Sequence, residues 1–179
     1  YLTGELSAAY VNAVQKENVG TSLKHFAANN QEYRRLTLSS EVDERALREI
    51  YLPGFENTIK KAQPYTVMCC YNPVNGVHGS ENKKLLTDIL RDEWGFEGIV
   101  ISDWGAVNDR VKGIVAGLDL EMPTANGIND KAIQKAVEEG NLDIKDLDKV
   151  VERILKFVYK CYENRSKHKK DFKADYDKH

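Results

Sequence analysis

The sequence predicts an α/β fold: a parallel (β/α) barrel of which about four βα units are present, the second half of a TIM-type barrel. Apolar, β-branched runs alternate with stretches of helical spacing along most of the chain, and this alternation implies a parallel sheet with right-handed crossovers. The run at 98–103 stops abruptly at Asp103, beside Trp104, as expected of a strand that delivers a side chain to the rim of a barrel. A flavodoxin-like sheet is the alternative, but the Gly-rich phosphate loop that usually follows an early strand in that fold is missing.

The elements of the first half follow from periodicity. The first and second helices repeat apolar residues at helical spacing, and Pro53 should kink the second because proline lacks a backbone donor. The first strand runs into a polar loop, and the second is β-branched and aromatic and ends in the turn-rich segment 72–76. In chain order, the predicted helices are 6–17, 42–61, 84–94, 109–116, 130–139 and 144–162, and the predicted strands are 20–26, 65–71, 98–103 and 117–123.

Glycines and polar caps bound the elements of the second half. The third helix stops at Gly95 and leads at once into the third strand. The fourth helix begins near Asp109, a residue type that caps helix N-termini, and the fifth ends at Gly140. The last helix has the i, i+3, i+4, i+7 apolar spacing of an amphipathic element and should cover part of the sheet.

Composition excludes several classes of function. The 26 basic and 28 acidic residues leave a net charge of -2, which provides no electrostatic footprint for nucleic acid or an anionic membrane. No apolar stretch approaches the roughly 20 residues of a membrane-spanning helix. The three cysteines, two of them adjacent at Cys69 and Cys70, form neither a disulfide framework nor a zinc-ligand spacing, so we expect no metal. This cysteine usage suits a reducing compartment, and we expect a cytoplasmic protein, with secretion as the alternative.

A change of composition divides the chain near residue 162. Residues 1–162 are predicted to form the C-terminal half of a TIM-type catalytic barrel. In residues 163–179, ten of seventeen side chains are charged and the apolar period is lost. We therefore predict that 163–179 is a charged linker toward a further segment.

Chemically useful side chains stand at the ends of the four predicted strands. They are Lys24 and His25, Met68 with Tyr71 and Asn72, Asp103 and Trp104, and Glu121 with Met122. Because the carboxyl ends of parallel barrel strands share one rim, we expect these side chains to lie close together. A carboxylate, a cation and aromatic rings suit a carbohydrate pocket. Taken singly, Asp103 could equally bond the following turn, Lys24 could be a surface charge and His25 a core residue.

Several motifs, in a fixed order, carry a specific resemblance. They are KHFAANNQE at 24–32, ERALREIYL at 44–52, MCCYN at 68–72 followed by NG at 75–76, SDW at 102–104 and GLDLEMP at 117–123. Over roughly residues 1–162 the chain resembles the barrel domain of family three glycoside hydrolases, chiefly β-glucosidases. The resemblance implies a retaining enzyme that cleaves terminal non-reducing β-D-glucosyl residues through a covalent glycosyl-aspartate intermediate, with no metal or organic cofactor.

The resemblance implies a role for each strand-end residue. Asp103 of the SDW motif corresponds to the catalytic nucleophile of the family. Glu121 has no catalytic counterpart there, and we expect it to form a structural ion pair with Arg35 or Arg110. The substrate-binding residues implied are Lys24 and His25, which contact sugar hydroxyls, Tyr71, which bonds the carboxylate and the sugar, and Met68 and Trp104, which form an apolar wall.

Parts of the family's site lie outside this chain. The first barrel half precedes Tyr1 in the family, and the acid/base glutamate comes from a following α/β sandwich domain. The expected partners are therefore a β-glucoside or oligosaccharide substrate, the remaining barrel half and the sandwich domain, with neither nucleic acid nor membrane. Three alternatives remain: an inactive half-barrel that binds sugar or pairs with complementary polypeptide, a β-xylosidase of the same family, and a Schiff-base aldolase using Lys24.

Overall fold

The computed structural model describes residues 1–166 and 176–177. The helices are α1 (Leu2–Lys16), α2 (Glu44–Ala46), α3 (Pro53–Ala62), α4 (Arg110–Ala116), α5 (Ile128–Glu138) and α6 (Ile144–Ser166), with π-helices at Leu47–Tyr51 and Lys84–Glu93 and a 3₁₀ turn at Gly79–Glu81. The strands are β1 (Ser22–Phe26), β2 (Thr66–Cys69), β3 (Pro73–Val74), β4 (Val77–His78) and β5 (Ile99–Ile101). Within these residues, no helix is both long and apolar enough to cross a membrane.

The main sheet is parallel, with strand order β1-β2-β5. The predicted fourth strand, 117–123, is reduced to one parallel bridge between Leu120 and β5. The Leu120 amide donates to the Val100 carbonyl at 3.1 Å, and the Leu120 carbonyl accepts from the Ser102 amide at 2.9 Å. Pairing stops there because Met122 bonds the side chain of Ser102 and Pro123 has no amide proton to donate.

One face of the sheet is covered and the other is open. Leu23, Val67 and Val100 lie side by side in register, and they are part of, or pack against, the main core under the helices. Met68 and Ile101 are in register on the opposite face, where they remain half-buried. In a closed barrel that second face would be the interior. The predicted parallel α/β architecture is therefore confirmed as a partial barrel.

The core explains how the helices are held. Phe26, at the end of β1, contacts Phe55 of α3 and Trp94 edge-on, with ring centroids 5.2 and 5.9 Å apart. Fully burying such a ring stabilises the fold by roughly 1.5–3 kcal/mol. The predicted helix 42–61, with its kink at Pro53, is divided into α2, the π-helix Leu47–Tyr51 and α3. Pro53 occupies the first position of α3, where a missing amide proton costs nothing.

Helix α6 is amphipathic, as predicted. Val150 is buried in a second cluster with residues of α4 and α5, and Phe157 packs edge-on against Tyr65, just before β2, with ring centroids 6.5 Å apart. The helix continues to Ser166, so residues 163–166, which were expected to be linker, are helical. Most of the remaining predicted linker lies outside the described residues.

Candidate functional site

Asp103 lies immediately beyond β5, at the carboxyl edge of the sheet. The apolar strand Ile99–Ile101 fixes the backbone, and Asp103 itself is only 8% exposed. Its Oδ1 accepts the amide proton of Trp104 at 2.7 Å, and its carbonyl accepts the amide proton of Ala106 at 3.1 Å. The turn therefore holds the plane of the carboxylate in place while part of the group stays open to solvent.

His25 reaches the same carboxylate from the end of β1. Its Nε2 lies 3.3 Å from Oδ2 of Asp103, across the intervening strand β2. The contact confirms that the strand ends share one edge. The contact places the His25 imidazole on the second oxygen of the carboxylate, opposite the oxygen that the Trp104 amide holds.

Tyr71, which follows β2, completes the cluster. Its hydroxyl donates to the Trp104 carbonyl at 2.9 Å. Burial raises the pKa of the Tyr71 phenol, and the nearby Asp103 carboxylate raises it further. Tyr71 therefore remains a neutral hydrogen-bond donor at the pH values at which Asp103 would act.

Arg35 was not predicted as a site residue. Its guanidinium carbon lies 4.5 Å from the centre of the Tyr71 ring, and its Nη1 bonds Glu32 at 2.9 Å. A guanidinium over an aromatic face is an attractive cation–π arrangement. The available sequence signal was its place in the polar loop that follows the Lys24-His25 strand end.

The other predicted site residues are Trp104, Met68 and Lys24. Trp104 is 64% exposed, so its ring is available to a ligand, and Met68 is half-buried on the open face. Lys24 is exposed and lines grooves along α1 beside Ser7. No ion pair joins it to Asp103 in the described part of the chain. Lys24 lies in β1, an edge strand whose register shifts between Leu23 and Phe26.

Asn72 and the neighbouring Cys69 and Cys70 are buried next to the site. The Asn72 amide donates to the Ala28 carbonyl at 3.3 Å and to Ser40 Oγ at 3.0 Å, which ties together the loops after β1 and β2. Burial raises the pKa of Cys69 to about 12 and that of Cys70 to about 11. Both thiols are therefore protonated near neutral pH, so neither competes with Asp103 as a nucleophile.

The predicted ion pair of Glu121 is wrong. Glu121 Oε1 accepts from the Asn129 amide at 2.6 Å. Arg110 instead donates to the backbone carbonyls of Leu118 and Asp119, at 3.1 and 2.8 Å. Burial lowers the pKa of the Arg110 guanidinium, and these carbonyls satisfy its donors where water cannot reach.

A cleft opens beside His25. The cleft has a volume of about 310 Å³ and is lined by His25, Ala28, Asn29, Asn30, Ile50, Tyr51 and Phe55. Asn29 Oδ1 is buried there without a hydrogen-bond partner. No group of three or more His, Cys, Asp or Glu side chains within 1–166 and 176–177 is placed to hold a metal ion. The available chemistry is thus that of a carboxylate, an imidazole, a phenol and an indole.

Comparison with known proteins matches this chain to one family. A profile described as "Glycosyl hydrolase family 3 N terminal domain" matches residues 1–157. Thermostable beta-glucosidase B of Acetivibrio thermocellus is 55% identical over 178 residues, 99% of this chain and 23% of that protein. The exo-alpha-(1->6)-L-arabinopyranosidase of Bifidobacterium breve is 53% identical over 160 residues, 89% of this chain and 21% of that protein.

Solved structures agree with the sequence matches. The crystal structure of a GH3 beta-glucosidase from Bifidobacterium adolescentis is 49% identical, with a TM-score of 0.87 over 96% of this chain and 25% of that one. Beta-glucosidase 3B from Thermotoga neapolitana, in complex with glucose, is 43% identical, with a TM-score of 0.85 over 94% and 25%. The chain spans about a quarter of the length of these relatives.

Proposed function

The chain belongs to glycosyl hydrolase family 3, and from this premise we propose that it forms part of a retaining glycosidase that cleaves terminal non-reducing β-D-glucosyl residues. One observation carries the proposal. The Asp103 carboxylate is held by the Trp104 amide at 2.7 Å and faces His25 at 3.3 Å. It is an oriented, partly open carboxylate beside an exposed indole ring, as a glycosyl nucleophile requires.

The proposed reaction has two steps at the anomeric carbon. An Asp103 oxygen attacks that carbon, the bond to the aglycone oxygen breaks, and a general acid gives its proton to the departing oxygen. Water then adds to the same carbon, the bond to Asp103 breaks, and the conjugate base of that acid takes the proton from water. Two inversions give net retention. Tyr71 and His25 are proposed to hold the carboxylate and the sugar hydroxyls.

The acid/base group is proposed to come from polypeptide outside residues 1–179. The chain covers about a quarter of its relatives, and a catalytic pair of this kind needs a second carboxyl group about 5 Å from the first. We propose that the partners are the first barrel half and an α/β sandwich domain. Without them, the chain alone is expected to lose roughly a hundredfold or more in rate, the usual contribution of general acid catalysis.

The sugar that the site accepts is the finer part of the proposal. Relatives of similar identity carry two different names, beta-glucosidase and exo-alpha-(1->6)-L-arabinopyranosidase. A β-glucoside is the proposed substrate, because several of the relatives and solved structures are beta-glucosidases. Parallel assays with aryl β-D-glucoside, α-L-arabinopyranoside and β-D-xyloside would decide among the glycones, since the last two lack the hydroxymethyl group of glucose.

Covalent trapping tests the nucleophile directly. The full-length gene product that contains this chain is treated with an activated 2-deoxy-2-fluoro-β-glucoside, which slows release of the glycosyl-enzyme, and the labelled peptide is sequenced by mass spectrometry. We expect one adduct on Asp103 and none in Asp103→Asn, with Asp109→Asn labelled normally as the matched control. Label on another residue, or none, would overturn the assignment.

Trapping on Lys24 would identify the aldolase alternative. Borohydride reduction in the presence of a carbonyl substrate fixes a Schiff base on a lysine. We expect no such adduct on Lys24 under conditions in which Asp103 is labelled. If sugar binds by calorimetry but neither residue is labelled, the half-barrel binds carbohydrate without chemistry.

A further inference from the structure

The two residues that flank Asp103-Trp104, Ser102 and Gly105, both bond the backbone of Met122. Ser102 Oγ accepts the amide proton of Met122 at 2.8 Å and lies 3.2 Å from the Met122 carbonyl, to which it can donate. The amide of Gly105 donates to that same carbonyl at 2.8 Å. Met122 therefore holds both ends of the turn that carries the carboxylate.

Ser102 is placed to act on the turn without entering the site. It is fully buried, at 0% exposure, and its amide donates to the Leu120 carbonyl at 2.9 Å. Among the residues that the structure describes, its hydroxyl bonds only Met122. A hydroxyl is the smallest side-chain group that can accept a proton from the amide and donate one to the carbonyl of the same residue.

We propose that Ser102 is a positioning residue for the Asp103 nucleophile, acting through the backbone amide and carbonyl of Met122. The inference rests on the proposed function, because it assumes that an Asp103 oxygen attacks the anomeric carbon of the sugar in the first step. A misplacement of about 1 Å at a reacting group can cost on the order of a hundredfold in rate. The hydrogen bond from the Trp104 amide orients the carboxylate only if the backbone of the turn is itself fixed. The contacts between Ser102 and Met122 fix that backbone.

A purely structural role predicts a different result. If Ser102 only satisfied the backbone of 117–123, its loss would lower stability and leave the rate of folded enzyme unchanged. Thr87 offers a matched control, because its hydroxyl also bridges two elements by donating to a backbone carbonyl, that of Ala116, at 2.8 Å. Thr87→Val removes a comparable tertiary hydrogen bond away from the turn.

The experiment compares the wild type, Ser102→Ala, Ser102→Cys and Thr87→Val in the full-length gene product. Thermal unfolding, kcat, KM and the rate of fluoroglucoside labelling are measured for each protein. We expect Ser102→Ala to lose about tenfold or more in kcat and labelling rate, with KM changed about twofold or less. Ser102→Cys, which keeps the volume but donates weakly, should fall between it and the wild type. Thr87→Val should lose stability only.

The outcomes separate this inference from the proposed function. Failure to label Asp103 in the wild type overturns both. Labelling of the wild type with equal rates in Ser102→Ala overturns the positioning role alone, as does an equal loss of kcat in Thr87→Val. If Ser102→Ala cannot be purified folded, Ser102→Cys is judged by the same criteria.

Discussion

Asp103 and Asp119 are both buried acidic residues near β5, and they differ in how completely their oxygens are satisfied. Asp119 has a fully buried side chain. It accepts from Arg91 Nη2 at 2.6 Å, from the Val100 amide at 2.7 Å and from Arg153 Nε at 2.6 Å. Asp103 keeps 12% of its side chain exposed and has one amide donor and one imidazole at 3.3 Å.

The difference in pairing is the one expected between a carboxylate that only stabilises the fold and the carboxylate proposed as the nucleophile. Around Asp119, two guanidinium groups and an amide bond the carboxylate oxygens, so the buried charge is paired and an electrophile has no open approach to it. Asp103 is oriented but not enclosed, which leaves one oxygen able to form a new bond. Incomplete satisfaction at an ordered turn is thus the feature of Asp103 that supports the proposal that it is the nucleophile.

Asp103→Asn should cause the largest change. An amide at this position keeps the shape but lacks the nucleophilic charge, so kcat in the full-length protein should fall by about a thousandfold or more. Stability should change by less than about 0.5 kcal/mol, because few bonds are lost. Steady-state kinetics and urea unfolding measure the two effects. A variant that keeps more than about a tenth of the activity would place the nucleophile elsewhere.

Asp119→Asn should produce the reverse pattern. Removing the charge leaves Arg91 and Arg153 without their common partner, and breaking a buried ion pair in this way costs about 3–5 kcal/mol. Urea unfolding should show that loss, and any remaining folded enzyme should retain its kcat. Glu121→Gln is the control from the same segment and should cost under about 1 kcal/mol, since Glu121 has a single amide partner. Equal losses in the two variants would contradict the comparison.

Tyr71→Phe should have an intermediate effect on activity. The phenol donates a hydrogen bond to the Trp104 carbonyl beside the carboxylate, and one such bond is worth roughly 0.5–1.5 kcal/mol, so kcat should fall about two- to tenfold. The raised pKa of Tyr71 keeps its hydroxyl protonated, and the loss should therefore be constant from pH 6 to pH 9. A loss that disappears within that range would mean that Tyr71 titrates there.

The sequence predicted the edge of the sheet better than the contacts across it. Alternating strands and helices placed Asp103, His25 and Tyr71 at one rim, and His25 does lie against Asp103. It did not reveal Arg35 over Tyr71, because that contact depends on how the 27–39 loop folds back. The roles of the six site residues and the cytoplasmic location stay predictions.

Asp119 was missed for a related reason. A charged residue inside an apolar run was available as a signal, but its partners come from distant elements, Arg91 from a π-helix and Arg153 from α6. The fourth strand was predicted to be longer than it is, in the same segment. Its Met122 amide bonds the Ser102 hydroxyl and not the backbone of a neighbouring strand, and the periodicity of the sequence does not show this.

Exposed carboxylates extend the comparison to a third environment. Arg48 bonds Glu44 at 2.9 Å and Glu93 at 2.6 Å, joining α2 to the end of the π-helix Lys84–Glu93, and all three side chains are about one-third to one-half exposed. Hydrogen bonds from Lys84 and then from Arg48 lower the pKa of Glu44, and the bond from Arg48 lowers the pKa of Glu93. A carboxyl group whose pKa is lower in the folded state stabilises the fold at pH values above its unfolded pKa. This stabilisation is lost as the pH falls through the folded pKa.

Arg48→Met should therefore have the smallest effect and the clearest pH dependence. Solvent screening limits such pairs to about 0.2–1 kcal/mol, so urea unfolding at pH 7 should show a loss in that range. The difference from wild type should shrink as the pH falls through the lowered folded pKa values of the two glutamates, because a protonated glutamate no longer pairs with Arg48. Arg45→Met removes a single, more exposed pair with Glu49 and should change stability even less. A loss of several kcal/mol in Arg48→Met would mean that exposure does not set the strength of these contacts, and the contrast between Asp103 and Asp119 would then need another cause.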